Sequence, residues 1–326
     1  MTTPSRHRYS VYGVRVTSDV PFEFPLARPA ETPLADVEFV EWVDGDRLTP
    51  APPSESIVDG WFQCRESTDE SIYLRWADLY EFRVEKDGRQ VACRQLAQGS
   101  WGVLQNFLFG QVLSFALVRQ GLEQLHAAVL AVDDVAIGFL GDCRFGKSTL
   151  AAAFMQHGFR LLTDDVLTIE WRPSGPIAHP GSGRIKLQSD SALAWLPSSA
   201  RGVPLHRQAT KRSFPLGGDR LQRTGLPLTH LFVLPSPEER EASDGFDIRP
   251  LSRPAMVREL LKSSFNTQLL DRQRIRRQFG FAVQTASTIN GCALRYPYGL
   301  HHLPTVRERV IAYVHQNVGH QMIAVR

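Results

Sequence analysis

The stretch Gly141-Asp142-Cys143-Arg144-Phe145-Gly146-Lys147-Ser148-Thr149 constrains this chain more than any other. It fits G-x-x-x-x-G-K-[ST], and its flanks are the ones that pattern needs. Ahead of it, the apolar run Val135 to Leu140 reads as a buried strand. Behind it, Leu150 to Met155 is a run of good helix formers. Glycines between a strand and a helix let the backbone wrap tightly, so that its N–H groups face phosphate oxygens. The helix start adds the positive end of its dipole. Lys147 is a point charge for the β- and γ-phosphates, and the Ser148 hydroxyl reaches Mg²⁺. A plain glycine turn accounts for Gly141 and Gly146 but not for Lys147 and Ser148. Residues 141–149 are therefore the expected nucleotide site. Within it, Arg144 either touches phosphate or narrows the loop.

One helix later comes Arg160-Leu161-Leu162-Thr163-Asp164-Asp165-Val166-Leu167. Two adjacent carboxylates in a strand would point to opposite faces. Both escape the core only at a strand end or a sharp turn. Beside a phosphate loop, one carboxylate can help hold Mg²⁺ while the other accepts a proton from an attacking hydroxyl. The expected roles are Asp164 as base and Asp165, with Ser148, at the metal, and the reverse assignment stays open. Downstream, Gly183-Arg184-Ile185-Lys186-Leu187 alternates, which puts Arg184 and Lys186 on one face. Such a pair suits phosphate, nucleotide or an acidic peptide end. Asp133-Asp134 reads instead as a solvated hairpin turn.

The loop, His157-Gly158-Phe159-Arg160-Leu161-Leu162 and Asp164-Asp165 together resemble the catalytic core of bacterial HPr kinase/phosphorylases. Leu125-His126-Ala127-Ala128 resembles their histidine-bearing segment, which implies a supporting role for His126 near the phosphates. The chain is more similar still to HPr-kinase-related serine kinases encoded near lasso-peptide and similar peptide-modification genes. That resemblance rests on Gly183 to Leu187, on Lys211-Arg212-Ser213-Phe214-Pro215-Leu216, on Arg295-Tyr296-Pro297, and on an opening at Tyr12-Gly13-Val14. It implies ATP and Mg²⁺ as cofactors and a Ser or Thr hydroxyl of a peptide or protein as acceptor. It implies a catalytic set of Lys147, Asp164, Asp165, His126 and Arg184. Lys186, Lys211 and Arg212 follow as further basic contacts. Cys143, Arg144 and Phe145 depart from the family loop. They favour, as an alternative, a nucleotide-binding regulatory module without phosphotransfer. A small-molecule kinase is a second alternative, and ATP against GTP stays open.

The rest of the chain bounds these readings. The 326 residues are 43% hydrophobic and 22% charged, enough for a sizeable core, and length suggests one or two domains. A net charge of +3 gives no nucleic-acid footprint. Four scattered cysteines fit free thiols in a reducing cytosol, so a cytoplasmic location is expected. No apolar signal core opens the chain, and no uninterrupted apolar run spans a membrane. Oligomeric state, homo-oligomer included, is open. Alternation predicts one strand through Tyr9, Val11, Val14 and Val16, a strand from Val37 to Trp42, and strands at Ile72–Trp76, Leu79–Val84 and Gln90–Arg94, with a hairpin turn at Lys86-Asp87-Gly88. Helical spacing predicts an apolar helix over Val103–Leu122, helices from Arg253 and from Ser264 to Gln278, and a closing helix over Thr305–Gln316. Arg272, Arg274, Arg276 and Arg277 read as a surface face. The expected fold class is α/β: a P-loop kinase core of the HPr-kinase type with a central mixed sheet. A small β-rich N-terminal domain over residues 1–95 precedes the core domain of residues 96–326.

Overall fold

The computed structural model describes residues 6–22, 32–42, 57–58, 61–96, 99–205, 209–267 and 269–324. By sequence, residues 21–33 and 49–56 are proline-rich loops and Asp44-Gly45 is a turn; residues 23–31 of the first, all of the second, that turn, and the basic His206 and Arg207 lie outside the described residues. The described residues are mixed α/β and form three sheets.

The first sheet has eight strands in the order His7–Val11, Val14–Ser18, Asp36–Glu41, Gln90–Gln95, Tyr80–Val84, Ile72–Trp76, Phe62–Glu66 and Ile57–Val58. The single strand expected through Tyr9 and Val16 is two strands joined by a tight turn. Tyr12 and Gly13 both take positive φ, 57° and 75°, and Val11 pairs with Val14 across them. The sequence carried the reason. The inward apolar positions switch from odd (Val11) to even (Val14), which one flat strand cannot accommodate.

The second sheet carries the loop. Val135–Leu140 lies antiparallel to Ala128–Val132 and parallel to Leu226–Val233, which in turn runs parallel to Asn290–Arg295. Helix Lys147–Met155 packs on one face together with the closing helix Leu303–Ala324; Leu150, Phe154, Val306 and Val310 are buried there. Arg253–Lys262 and Arg272–Thr288 cover the other face through Met256, Leu260, Ala282 and Ala286. A strand with helices on both faces is apolar throughout, as Val135 to Leu140 is. The third sheet, Arg184–Gln188, Lys211–Pro215 and Val203–Pro204, stands beside the loop helix.

Two helical expectations need correction. The helix over Val103–Leu122 is Trp101–Phe107 and Leu113–Arg119 joined by a π-helical turn, Leu108–Val112. Trp101–Arg119 is long and apolar enough, by length and composition, to cross a membrane, yet most of it is buried against the first sheet. The helix expected from Ser264 starts only at Arg272, capped by the Asp271 carboxylate, which accepts from the Arg274 N–H at 2.7 Å. Arg274 is the cause. Far from lying on a surface face, it is 2% exposed, its guanidinium donates to the carbonyls of Phe265, Asn266 and Leu269, and it pairs with Glu123. The segment before the helix spends its carbonyls on this buried cation, so they cannot form a helix.

Candidate active site

Residues 141–149 fold as a tight glycine turn that runs from strand Val135–Leu140 into a helix. Gly141 (φ 145°) and Gly146 (φ 91°) hold backbone conformations that side chains avoid. A Cβ on Gly141 would also sit 3.0 Å from the Phe145 ring. Phe145 is partly buried against the core under the loop and also lines the larger crevice beside it, so this bulkier residue fills space at the edge of the site. Arg144 is left-handed too (φ 72°), a conformation that costs a non-glycine residue of order 1–3 kcal/mol and clusters at ligand sites. Helix Lys147–Met155 starts directly after Gly146.

Lys147 is 6% exposed. Its Nζ donates to the carbonyls of Gly141 (2.6 Å) and Asp142 (3.1 Å). Burial pushes its pKa down, and Asp165 and Asp164 oppose this. Ser148 Oγ donates to Asp164 Oδ1 at 2.8 Å, and Thr149 Oγ1 lies 3.1 Å from Ser191 Oγ.

The two aspartates occupy the sharp turn between strands Arg160–Thr163 and Val166–Arg172, with Asp165 left-handed (φ 75°). Thr163 Oγ1 locks the turn by donating to the Val166 carbonyl at 2.7 Å. Asp164 Oδ2 accepts the Lys186 backbone N–H at 2.9 Å. Asp165 is ion-paired with Lys186 Nζ and lies 3.7 Å from His126 Nε2. These environments push the pair apart. Burial, then the charge of Asp165, raises Asp164. Burial would raise Asp165 as well, but Lys186 and His126 outweigh it and hold Asp165 well below the usual carboxylate range. Opposed shifts in neighbouring carboxylates are how one site assigns two roles. The pair expected at a metal was Ser148 with Asp165; the carboxylate that Ser148 touches is that of Asp164.

A cavity of about 160 Å³ gathers His126, Cys143, Arg144, Gly146, Lys147, Ser148, Thr149, Asp165, Lys186, Gln188 and Lys211 around this cluster. Asp142 is exposed and lines a larger crevice of about 680 Å³ with Gly141 and Phe145. That crevice opens at the carboxyl ends of strands Val135–Leu140, Leu226–Val233 and Asn290–Arg295. Arg184 donates from Nε to Ser213 Oγ at 2.7 Å and lines a small pocket behind the aspartates. Arg212 is not brought in. Its guanidinium is exposed and bonded to the Gly202 carbonyl (3.0 and 2.7 Å). Lys211 and Arg212 are neighbours on a strand, so only one of them can face the cavity.

Sequence reasoning gave Tyr12, Asn106 and Ser182 no role, yet all three line the pocket behind Asp164 and Asp165. Tyr12 enters from the first sheet. Its N–H donates to the Pro180 carbonyl, its own carbonyl accepts from Thr168 Oγ1, and its Oη donates to the Phe109 carbonyl, each at 2.7 Å. The Tyr-Gly turn was its one visible signal.

No protein-family model matches the chain, and no curated protein does. Among solved structures, the HPr(Ser) kinase/phosphatase from Coxiella burnetii is similar at 17% identity over 60% of this chain and 98% of that one, with a TM-score of 0.34. A likeness that loose carries no argument, so the chemistry must be read from this chain's own residues.

Among the described residues, no three His, Cys, Asp or Glu side chains form a cluster able to hold a metal ion. Mg²⁺ does not need one, because it is commonly held by one or two carboxylates plus substrate phosphates and water. Ser148 Oγ beside Asp164 Oδ1, at the start of the helix that follows the glycine turn, is a hydroxyl–carboxylate pair that fits such a site.

Proposed function

We propose that this chain is a nucleotide-dependent phosphotransferase of the HPr-kinase type, related to the peptide-modifying serine kinases. The observation that carries this reading is the Ser148–Asp164 contact at 2.8 Å, set at the start of the loop helix with Asp165 next in the chain. ATP is the phosphoryl donor and a Ser or Thr hydroxyl of a peptide or protein is the acceptor. Phosphoryl transfer depends mainly on positioning and charge neutralisation, which a loop nest ringed by Arg144, Lys147, Lys186 and Lys211 supplies. The 680 Å³ crevice beside the loop is in the size range of small-molecule sites and offers room for the nucleoside. Asp164 and Ser148 would hold Mg²⁺, which when bound neutralises phosphate charge. Asp165 would then take the acceptor proton, once Lys186 has turned from it to phosphate. This is the reverse of the assignment first expected from sequence. Arg184 and His126 support the charge around the transferred group. We further propose a cytoplasmic location and two domains, 1–95 and 96–326, that meet at the site.

A second reading, a nucleotide-binding regulatory module, draws support from Lys147, whose ammonium is turned onto its own loop's carbonyls. One experiment separates the two. Calorimetry measures ATP affinity, and γ-labelled ATP reports transfer to candidate peptides. Lys147→Ala should abolish transfer and weaken ATP binding by at least about tenfold, the scale of one charge-assisted contact. ATP binding by wild type without transfer to any acceptor would favour the regulatory module. Wild-type turnover in Lys147→Ala would remove the site assignment.

A further inference from the structure

A second, smaller pocket lies behind the aspartates. Its volume is about 10 Å³, and Tyr12, Asn106, Gly110, Asp165, Ser182 and Arg184 are among its walls. That volume is about what one water requires. Asn106 is 7% exposed, and neither its Nδ2 nor its Oδ1 has a hydrogen-bond partner among the described residues. A buried amide with both ends unmatched is costly, and native interiors almost always satisfy such groups through protein or ordered water. Its surroundings are built rather than incidental. Asn106 is the penultimate residue of helix Trp101–Phe107, and the π-helical turn follows at Leu108. π-Turns within helices are frequent at functional sites. Here the turn also presents the Phe109 carbonyl to Tyr12 and places Gly110 where a Cβ would stand 3.3 Å from Lys186 Nζ.

We propose that Asn106 is a positioning residue: its amide holds one ordered water against the Asp164–Asp165 pair, and through that water it fixes the carboxylate that receives the acceptor proton. The chemistry matches. An amide offers one donor and one acceptor group, a carboxylate only acceptors, and a water can bridge both while using Ser182 or Arg184 as a further partner. The small pocket shares Asp165 and Lys186 with the phosphate-side cavity. Water on one side and nucleotide on the other would therefore clamp the same carboxylate from both sides. Asn106 itself touches neither substrate.

The proposal rests on the phosphotransferase reading, and two measurements keep their failures distinct. The first needs no turnover. A crystal structure of the wild-type protein should show a water within hydrogen-bond distance of both Asn106 and Asp164 or Asp165. A pocket without that water overturns the proposal and leaves the kinase reading intact. The second uses ATP hydrolysis, with water as acceptor, as the probe. Asn106→Leu keeps the branched outline of the side chain and deletes both polar ends, and its extra bulk takes the place of the water, so its melting temperature should equal or exceed wild type. Its kcat should fall by at least about tenfold, the rate equivalent of one hydrogen bond, with KM for ATP little changed. Asn106→Ser retains a hydroxyl and should recover part of the loss. A purely structural asparagine would move stability and leave kcat alone, and Asn106→Leu at the wild-type rate would refute the idea.

Discussion

At the scale of single residues, the site is a set of charges whose partners decide their protonation. Asp165 is the clearest case. Burial alone would make it a weak acid, and the Lys186 ammonium, helped by His126, reverses that. Its folded pKa lies below its unfolded value of about 3.9, so its stabilising contribution is fully present above that pH. The contribution is lost as pH falls through the lower, folded value. Lys186→Ala strands the carboxylate, about a fifth of whose side chain is exposed. The variant should lose about 1–3 kcal/mol at pH 7, the cost of leaving a buried polar group unmatched. That deficit should shrink as pH drops below about 4, because the stranded Asp165 protonates while wild type loses its ion pair. Denaturant unfolding of both proteins from pH 3 to pH 8 checks this. A deficit independent of pH would mean that Lys186 acts through packing alone.

At the scale of elements, what positions the site is where backbone segments come closest. The chain leaves strand Arg160–Thr163 through the two aspartates, and Gly181 presses on that turn from the neighbouring loop. Its N–H donates to the Leu162 carbonyl at 2.8 Å, and a Cβ on it would stand 2.3 Å from Thr163 Oγ1 and 2.9 Å from Thr163 Cβ. Neither atom can yield without disturbing the bond from Thr163 to Val166. Gly181→Ala should therefore cost about 1–3 kcal/mol, the usual scale for overpacking, and should lower activity with it. Gly110 makes the opposite case. Only the Lys186 ammonium would meet its Cβ, at 3.3 Å, a contact that a shift of a few tenths of an ångström relieves, and alanine is the better helix former by roughly 0.5–1 kcal/mol. Gly110→Ala should be neutral or stabilising. Thermal melts of the two variants test the contrast, and a Gly181→Ala protein as stable as wild type would contradict the reading of that turn.

At the scale of the whole molecule, the N-terminal sheet and the loop-bearing sheet meet through shared apolar surface. The core of the first sheet continues into Leu104, Leu108, Val112, Phe115 and Leu117 of the helical stretch after residue 95, and reaches Val166 beside the aspartates. Tyr12 ties the same regions together through backbone bonds. The two proposed domains would then depend on one another. A chain cut to residues 96–326 should bare that helix face and be aggregated or molten, because exposed contiguous apolar patches of this kind are not tolerated in water. Adding residues 1–95 as a separate chain should improve its solubility. A monomeric, cooperatively folding 96–326 fragment would show that the first sheet is dispensable.

Features set by local physics can be read from the chain alone. The strand, glycine loop and helix around Lys147 are legible because period, glycine placement and helix formers agree within about twenty residues. The turn at Asp164-Asp165 is legible because two adjacent carboxylates cannot both leave a buried strand. The hairpin at Lys86 to Gly88 follows for similar local reasons. Which charges meet depends on how distant elements pack. Arg274 sits inside because Glu123, 151 residues away, pairs with it, and nothing near Arg274 in the chain announces that. Lys211 faces the cavity and Arg212 does not, because pairing with Arg184–Gln188 sets which face of that strand turns inward. Tyr12 and Asn106 reach the aspartates from segments 152 and 58 residues distant from Asp164, brought there by sheet packing and a π-turn. Contacts at such separation arise from packing of whole elements, and periodicity within one element carries no information about its partner.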